Sequence, residues 1–307
     1  MYWRNRDLGP WCLGTAQLGL DYGIANANGY PTFEQAREII STAWNAGIVL
    51  FDTATAYGNS QQVLGKCFES LGIQDQPLVV TKLSDTELLS DRCEQLIVDS
   101  LQHCRVSRFF GLLSHSPAVL HDFEKVQAIF ESLKAKGLVE FCGISVYEAA
   151  DGKFALGLKH FDIVQLPINA LDRSAVDEGV IEEARRTSKL LFFRSAFLQG
   201  LLTLRPEQLP NRISFATEIL SEWTEVCRRT NMPANKLALH IANRLAGGYP
   251  LVIGAELKTQ VEENLRTLCD EPKNLAEVIA ETTKLAEKTT QILRNPSLWP
   301  REDGLTR

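Results

Sequence analysis

The sequence predicts a single (β/α)8 barrel of the TIM type spanning residues 1–307. Three features lead there. Eight short apolar runs recur along the chain, and amphipathic stretches of helical period separate them. The runs are apolar on both faces, which is the pattern of parallel strands covered by helices, and eight such units favour closure over an open sheet. No Gly-x-Gly-x-x-Gly follows any run, so the dinucleotide fingerprint of a doubly wound sheet is absent.

The expected strands are Trp11–Leu13, Ile48–Phe51, Leu78–Thr81, Phe109–Leu113, Phe141–Ile144, Ile163–Leu166, Leu190–Phe193 and Leu251–Ile253. Between the first two, Thr32–Ala46 reads as a helix; Thr32 and Gln35 have the spacing of a capping box, and Gly47 supplies the stop. Ala118–Lys136 is a second helical pattern, closed by Lys134, Lys136 and Gly137. The interval from Phe193 to Leu251 is about twice the usual strand-plus-helix repeat. It holds "LRPEQLPNR" and then helical stretches near 214–230 and 234–246, and so predicts a lengthened segment at about 200–248 over the barrel mouth. A C-terminal helix is expected at about 275–294.

The composition, 45% hydrophobic and 23% charged, is that of an ordinary globular chain. A formal net charge of -6, with no basic block, argues against a nucleic-acid groove. The cysteines at 12, 67, 93, 104, 142, 227 and 269 include no Cys-x-x-Cys pair and read as reduced core thiols of a cytoplasmic protein. The opening "MYWRNRDLGPW" lacks the apolar core of a signal peptide, and no apolar run approaches the ~18 residues of a membrane span. The histidines at 103, 115, 121, 160 and 240 form no His-x-His cluster, so no metal site is expected and a metal-dependent hydrolase is disfavoured. Ser114 and Ser116 lack a Gly-x-Ser-x-Gly elbow, which disfavours a serine nucleophile.

In such a barrel, chemistry gathers where strands run into the loops at their C-terminal ends. The second strand ends at Asp52, with Tyr57 just beyond; the third, "LVVTK", ends at Lys82; the fourth, "FFGLLSH", ends at His115. Each alone has a plain structural explanation as a helix cap, a rim aromatic, a surface amine or a core histidine. Four in consecutive positions suggest proton supply during hydride transfer. A phenol titrates near ~10 and donates poorly at neutral pH unless it is tuned. A nearby ammonium stabilises phenolate, and a carboxylate keeps a buried ammonium charged. Asp52 then supports Lys82, Lys82 lowers the pKa of Tyr57, and His115 orients the carbonyl oxygen.

These residues, within "FDTATAYGNSQQVLGK", "VVTKL" and "LLSHSP", give the chain its resemblance to the aldo-keto reductase family, whose (β/α)8 barrel carries an Asp, Tyr, Lys and His tetrad in this order. The resemblance runs from "LGTAQLG" to "GAELKTQVEENL". It implies a nicotinamide dinucleotide, NADP by the family's habit with NAD as the alternative, extended across the barrel mouth. By the same resemblance, Thr15 and Ala16 line the nicotinamide end, and Ser145 and Gln165 hold the carboxamide. Ser195, Phe197 and Gln199 pass the pyrophosphate. Gly254, Ala255, Lys258, Gln260, Glu263 and Asn264 form the adenosine end, where a helix beginning near Lys258 offers free N–H groups to a phosphate.

Three positions depart from the family pattern. Val146 follows Ser145 where many relatives have Asn. Arg194 stands where many have an aromatic residue against the nicotinamide; its guanidinium can stack there, recruit an anionic substrate, or pair with Glu182 or Asp172. Glu256 replaces a common Lys or Arg, and a carboxylate disfavours a 2′-phosphate. The segments "SVYEAAD", "LPINALDR" and "RSAFLQGLLT" resemble a bacterial branch acting on sugars and sugar-derived carbonyls. A small polar aldehyde, ketose or aldose is therefore the expected substrate, with Asn169, Asp172 and Arg173 as candidate pocket residues or else turn residues. The alternative function is a non-enzymatic relative that binds cofactor and senses redox state for a partner.

Overall fold

The structure, a computed structural model, describes residues 1–300. Its central strands close into an eight-stranded parallel barrel. A small hairpin of β1 (Tyr2–Trp3) and β2 (Arg6–Asp7) precedes the barrel strands. These are β3 (Trp11–Gly14), β4 (Leu50–Asp52), β5 (Leu78–Leu83), β6 (Phe109–Ser114), β7 (Val139–Ser145), β8 (Ile163–Pro167), β9 (Leu190–Arg194) and β10 (Leu251–Gly254). Neighbours pair in chain order, and β10 closes onto β3. All of β4 and β6 is buried, as strands covered on both faces require. The hairpin lies at the N-terminal end of the barrel, where Trp3 meets Phe141 edge-on at 4.7 Å.

The helices are α1 (Phe33–Asn45), α2 (Ser60–Leu71), α3 (Asp85–Leu88), α4 (Cys93–Cys104), α5 (Phe123–Ala135), α6 (Ala149–Gly157), α7 (Ser174–Asp177) and α8 (Val180–Thr187), then α9 (Thr217–Thr230), α10 (Ala234–Leu245), α11 (Lys258–Cys269), α12 (Leu275–Glu287) and α13 (Gln291–Arg294). Helix α1 begins with both bonds of the Thr32–Gln35 capping box and ends before Gly47, whose φ of 85° is left-handed. Ile39, Ile40 and Ala43 form the face that it buries.

Three sequence expectations need correction. The pattern over 118–136 splits into a 3-10 segment, Pro117–Asp122, and helix α5, because Pro117 starts a tight turn capped by Ser116. The C-terminal helix breaks after Glu287, and α13 follows. The segment expected to cover the mouth divides in two. Leu198–Thr203 and the start of α10 reach the mouth, whereas α9 packs on the flank against α12.

The register makes the C-terminal strand ends one rim. Gly14 lies beside Asp52, Ser145 beside Gln165, and Pro167 beside Arg194. The loops leaving those positions open on one barrel mouth.

Candidate active site

Three of the four expected strand-end residues meet in a hydrogen-bonded group. Lys82 is 1% exposed, and its ammonium has three donors, all of them used. Its Nζ donates to Asp52 Oδ2 at 2.6 Å, to the Thr53 carbonyl at 3.1 Å and to Tyr57 Oη at 3.3 Å. The second oxygen of Asp52 accepts from Gln165 Nε2 at 2.7 Å, and Gln165 Oε1 accepts from Ser145 Oγ at 3.4 Å. The buried carboxylate and ammonium are therefore paired, with their remaining valences satisfied by neighbours. His115 stands beside the group, its ring edge-on to Tyr57 with centroids 5.8 Å apart.

Tyr57 and Asp52 form one end of a cavity of about 580 Å³ in the barrel mouth. Thr15, Ala16, Arg194, Ser195, Phe197 and Gln199 also line it. The far end is lined by Gly254, Gln260, Glu263 and Asn264, joined by Glu256. The expected residues Lys82, His115, Ser145, Gln165, Ala255 and Lys258 lie outside that lining. Gln165 is wholly buried behind Asp52, so its amide supports the carboxylate. Lys258 is exposed and pairs with Glu262 at 3.9 Å. Gln260 Oε1 takes the N–H groups of Glu256 at 2.7 Å and Leu257 at 3.4 Å, both ahead of α11, and no side chain caps the first turn of that helix.

The Aldo/keto reductase family model matches residues 10–286. The chain belongs to the aldo/keto reductase family. Among curated relatives, the chain is similar to Aldo-keto reductase YhdN of Bacillus subtilis (strain 168), 25% identical over 64% of the chain and 59% of that protein. The chain thus spans less than two thirds of that relative's length. Among solved structures it is similar to aldo-keto reductase AKR11C1 from Bacillus halodurans (holo form), with a TM-score of 0.74 at 20% identity, covering 95% of this chain and 97% of that one. The glycerol dehydrogenase AKR11B4 from Gluconobacter oxydans gives a TM-score of 0.71 at 16% identity, covering 93% of this chain and 94% of that one. These two likenesses concern the fold.

In this member of the aldo/keto reductases, two loops hold the rim in place. The Thr15 hydroxyl donates to the Asp52 carbonyl at 2.9 Å, and Ser60 Oγ donates to the Thr15 carbonyl at 2.7 Å. Gly19 and Gly58 let the loop after β3 lie on the Tyr57 turn. A Cβ on Gly19 would stand 2.2 Å from the Tyr57 carbonyl, and one on Gly58 would stand 2.3 Å from that of Gly19. Gly19→Ala should therefore displace the Tyr57 turn and lower kcat at least about tenfold, since small misplacement of a reacting group is costly. Steady-state kinetics beside a far-ultraviolet spectrum checks this; parent kcat in a folded variant contradicts it.

The electrostatics correct one expectation. Burial pushes the Tyr57 phenol above its ordinary 10.0, and Lys82 only partly offsets this. Burial acts to lower the Lys82 ammonium, but Asp52 and then Tyr57 carry it above 10.5. Both groups hold their protons at neutral pH.

Sequence reasoning missed Gln17, Tyr22, Asn26 and Asn235, which also line the cavity. The first three lie in the long loop after β3, and reading past the first residues of that loop would have found them. The "NALDR" turn does not line the cavity. Asn169 holds the Ser195 carbonyl, Asp172 caps Ser174, and Arg173 bonds Ile279 and Thr283 on α12. Among the described residues, no group of three or more His, Cys, Asp or Glu is placed to hold a metal, and no helix is long and apolar enough to cross a membrane.

Proposed function

We propose that the chain carries out reversible hydride transfer between a nicotinamide dinucleotide and a small polar carbonyl, with Tyr57 giving the proton to the carbonyl oxygen. The observation that carries this reading is the placement of the phenol at the cavity wall with Lys82 behind it. Because Lys82 donates to the phenol oxygen, the phenol's own O–H is left to point elsewhere, and a carbonyl oxygen in the cavity is a suitable acceptor. His115, edge-on beside Tyr57, is suited to hold the same oxygen. Asp52 keeps Lys82 charged, and Gln165 and Ser145 keep Asp52 in place.

The cavity fits an extended dinucleotide. It runs from Tyr57 past the Ser195–Gln199 loop to Glu256 ahead of α11 and Asn264 within it, with polar groups at both ends. When bound, the nicotinamide supplies or accepts the hydride. The far end supports NAD over the NADP expected from the family's habit. Glu256 and Glu263 line it, Lys258 lies outside it, and Lys236 is engaged with Glu263 at 3.9 Å. A 2′-phosphate there meets two carboxylates, whereas a free ribose hydroxyl can donate to one. Glu256→Lys should shift the affinity ratio towards NADP at least about tenfold, or 1.4 kcal/mol. Titrating the quenching of tryptophan fluorescence by each cofactor reads this, and an unchanged ratio contradicts the assignment.

Sugars and sugar-derived aldehydes or ketoses remain the proposed substrates, supported by the resemblance to sugar-acting relatives and by the polar side chains of the cavity. A screen of nicotinamide absorbance with both cofactors, against sugars, aldehydes and their alcohols, tests the reading. Turnover of any carbonyl supports it. Cofactor binding without turnover across the panel points to the redox-sensor alternative, a role in which a buried Lys82 bonded to Tyr57 has no task.

A further inference from the structure

Arg194 is the cation among the residues lining the cavity, and it stands at the Tyr57 end. Its guanidinium is clamped from three directions. One terminal nitrogen donates to the Val146 carbonyl at 3.0 Å and the other to Ser195 Oγ at 3.2 Å, while the guanidinium carbon sits 4.3 Å above the centre of the Tyr147 ring. The orientation is thus fixed before any ligand arrives. Among the described residues, no carboxylate pairs with it. Glu182 and Asp172, the salt partners considered from the sequence, do not reach it, and Asp52 is held by Lys82 and Gln165.

A guanidinium has five N–H donors, and two are committed here. A partly buried positive charge without a counter-ion is disfavoured unless a ligand supplies one. The planar fork, seated over the Tyr147 ring, matches a carboxylate or phosphate. The charge is close enough to Tyr57 and Tyr22 to favour the ionised form of each, which places it beside the reacting end of the cavity.

We propose that Arg194, held by Val146, Ser195 and Tyr147, binds an anionic group of the substrate, a carboxylate or a phosphate carried near the carbonyl that Tyr57 protonates. This rests on the reductase reading of the same site and narrows its substrate to an anionic carbonyl compound. The cofactor's pyrophosphate is the competing anion. Arg194 also bonds Ser195 at the start of the loop expected to pass that pyrophosphate, but its charge reaches Tyr57 and Tyr22, which favours an anion carried by the substrate.

The test has a kinetic arm and a binding arm. Glyceraldehyde 3-phosphate is compared with glyceraldehyde, and succinic semialdehyde with butanal, so that phosphate and carboxylate are separated. In the parent, the charged member of at least one pair should have the higher kcat/KM by about tenfold or more, and Arg194→Gln should shrink that ratio to within about threefold. Equal efficiency within both pairs in the parent overturns the proposal and leaves the reductase reading intact. The binding arm requires no turnover. Inorganic phosphate and succinate are titrated into the parent and Arg194→Gln, each saturated with NAD, following tryptophan fluorescence. Saturable binding of one anion in the parent, weakened at least about tenfold in the variant, supports the proposal. No anion binding by the parent overturns it. A loss of NAD affinity in Arg194→Gln with no change in the charged-to-neutral ratio also overturns it, because the guanidinium then serves the cofactor.

Discussion

Lys82→Met should lower the melting temperature by roughly 5–8 °C and abolish most carbonyl reduction. The substitution keeps the aliphatic volume but removes three hydrogen bonds at once, to Asp52, Thr53 and Tyr57. Asp52 is 4% exposed and loses its only ion-pair partner among the described residues. Breaking a buried pair from one side costs about 3–5 kcal/mol, because the remaining charge stays desolvated. In a chain of this size each kcal/mol corresponds to roughly 1.5 °C. The control is Asp52→Leu combined with Lys82→Met. With no charge left buried, that double variant should regain much of the lost stability while remaining inactive. Calorimetry of the parent and the two variants checks both statements. A single variant as stable as the parent contradicts the buried pair, and an active double variant contradicts its part in proton supply.

Tyr57→Phe should keep cofactor affinity near that of the parent while turnover falls by roughly two to four orders of magnitude, the scale of acid–base groups. The ring stays, so its packing against His115 survives, and only the proton and the bond to Lys82 are lost. The raised phenol gives a signed pH dependence. On the proposed mechanism carbonyl reduction needs the protonated phenol, which is present throughout neutral pH and lost only above the ordinary phenol range. Alcohol oxidation needs the phenolate, so its rate in the parent should climb as pH rises from 7 to 9, by up to about tenfold per unit. In Tyr57→Phe that climb should vanish. A pH profile of oxidation that is the same in parent and variant contradicts the phenol as the titrating group.

The barrel was legible because its strands are apolar on both faces. Runs such as Phe109–Leu113 and Leu190–Phe193 have no other stable place than beneath helices. Asp52, Lys82 and His115 were legible for a related reason, since a charged or polar residue ending an apolar run stands at the rim, and Tyr57 was legible from the short loop that follows Asp52. What the sequence did not reveal depends on which neighbour a side chain reaches. Gln165 was expected to face a ligand, but the register sets Ser145 beside it, and its amide turns to Asp52. Gln260 lines the far end of the cavity, and its side-chain oxygen turns back to the Glu256 N–H just ahead of α11, a contact that spacing alone does not reveal. The sign of the Tyr57 shift was missed as well, because the Lys82 contact follows from position in the chain whereas desolvation follows from the packed wall around it. Tyr22 escaped notice because it lies well into a long loop that doubles back over the mouth, where the Ile24 N–H donates to the Gln199 carbonyl at 2.9 Å.

The most direct test of this account is a single-turnover measurement. Enzyme saturated with reduced cofactor is mixed with a carbonyl substrate at neutral pH, and the loss of nicotinamide absorbance is followed for the parent and Tyr57→Phe. The account predicts hydride transfer at least about a hundredfold slower in the variant, with the cofactor still bound at the outset. Transfer at the parent rate in a variant lacking the phenol's proton would contradict it.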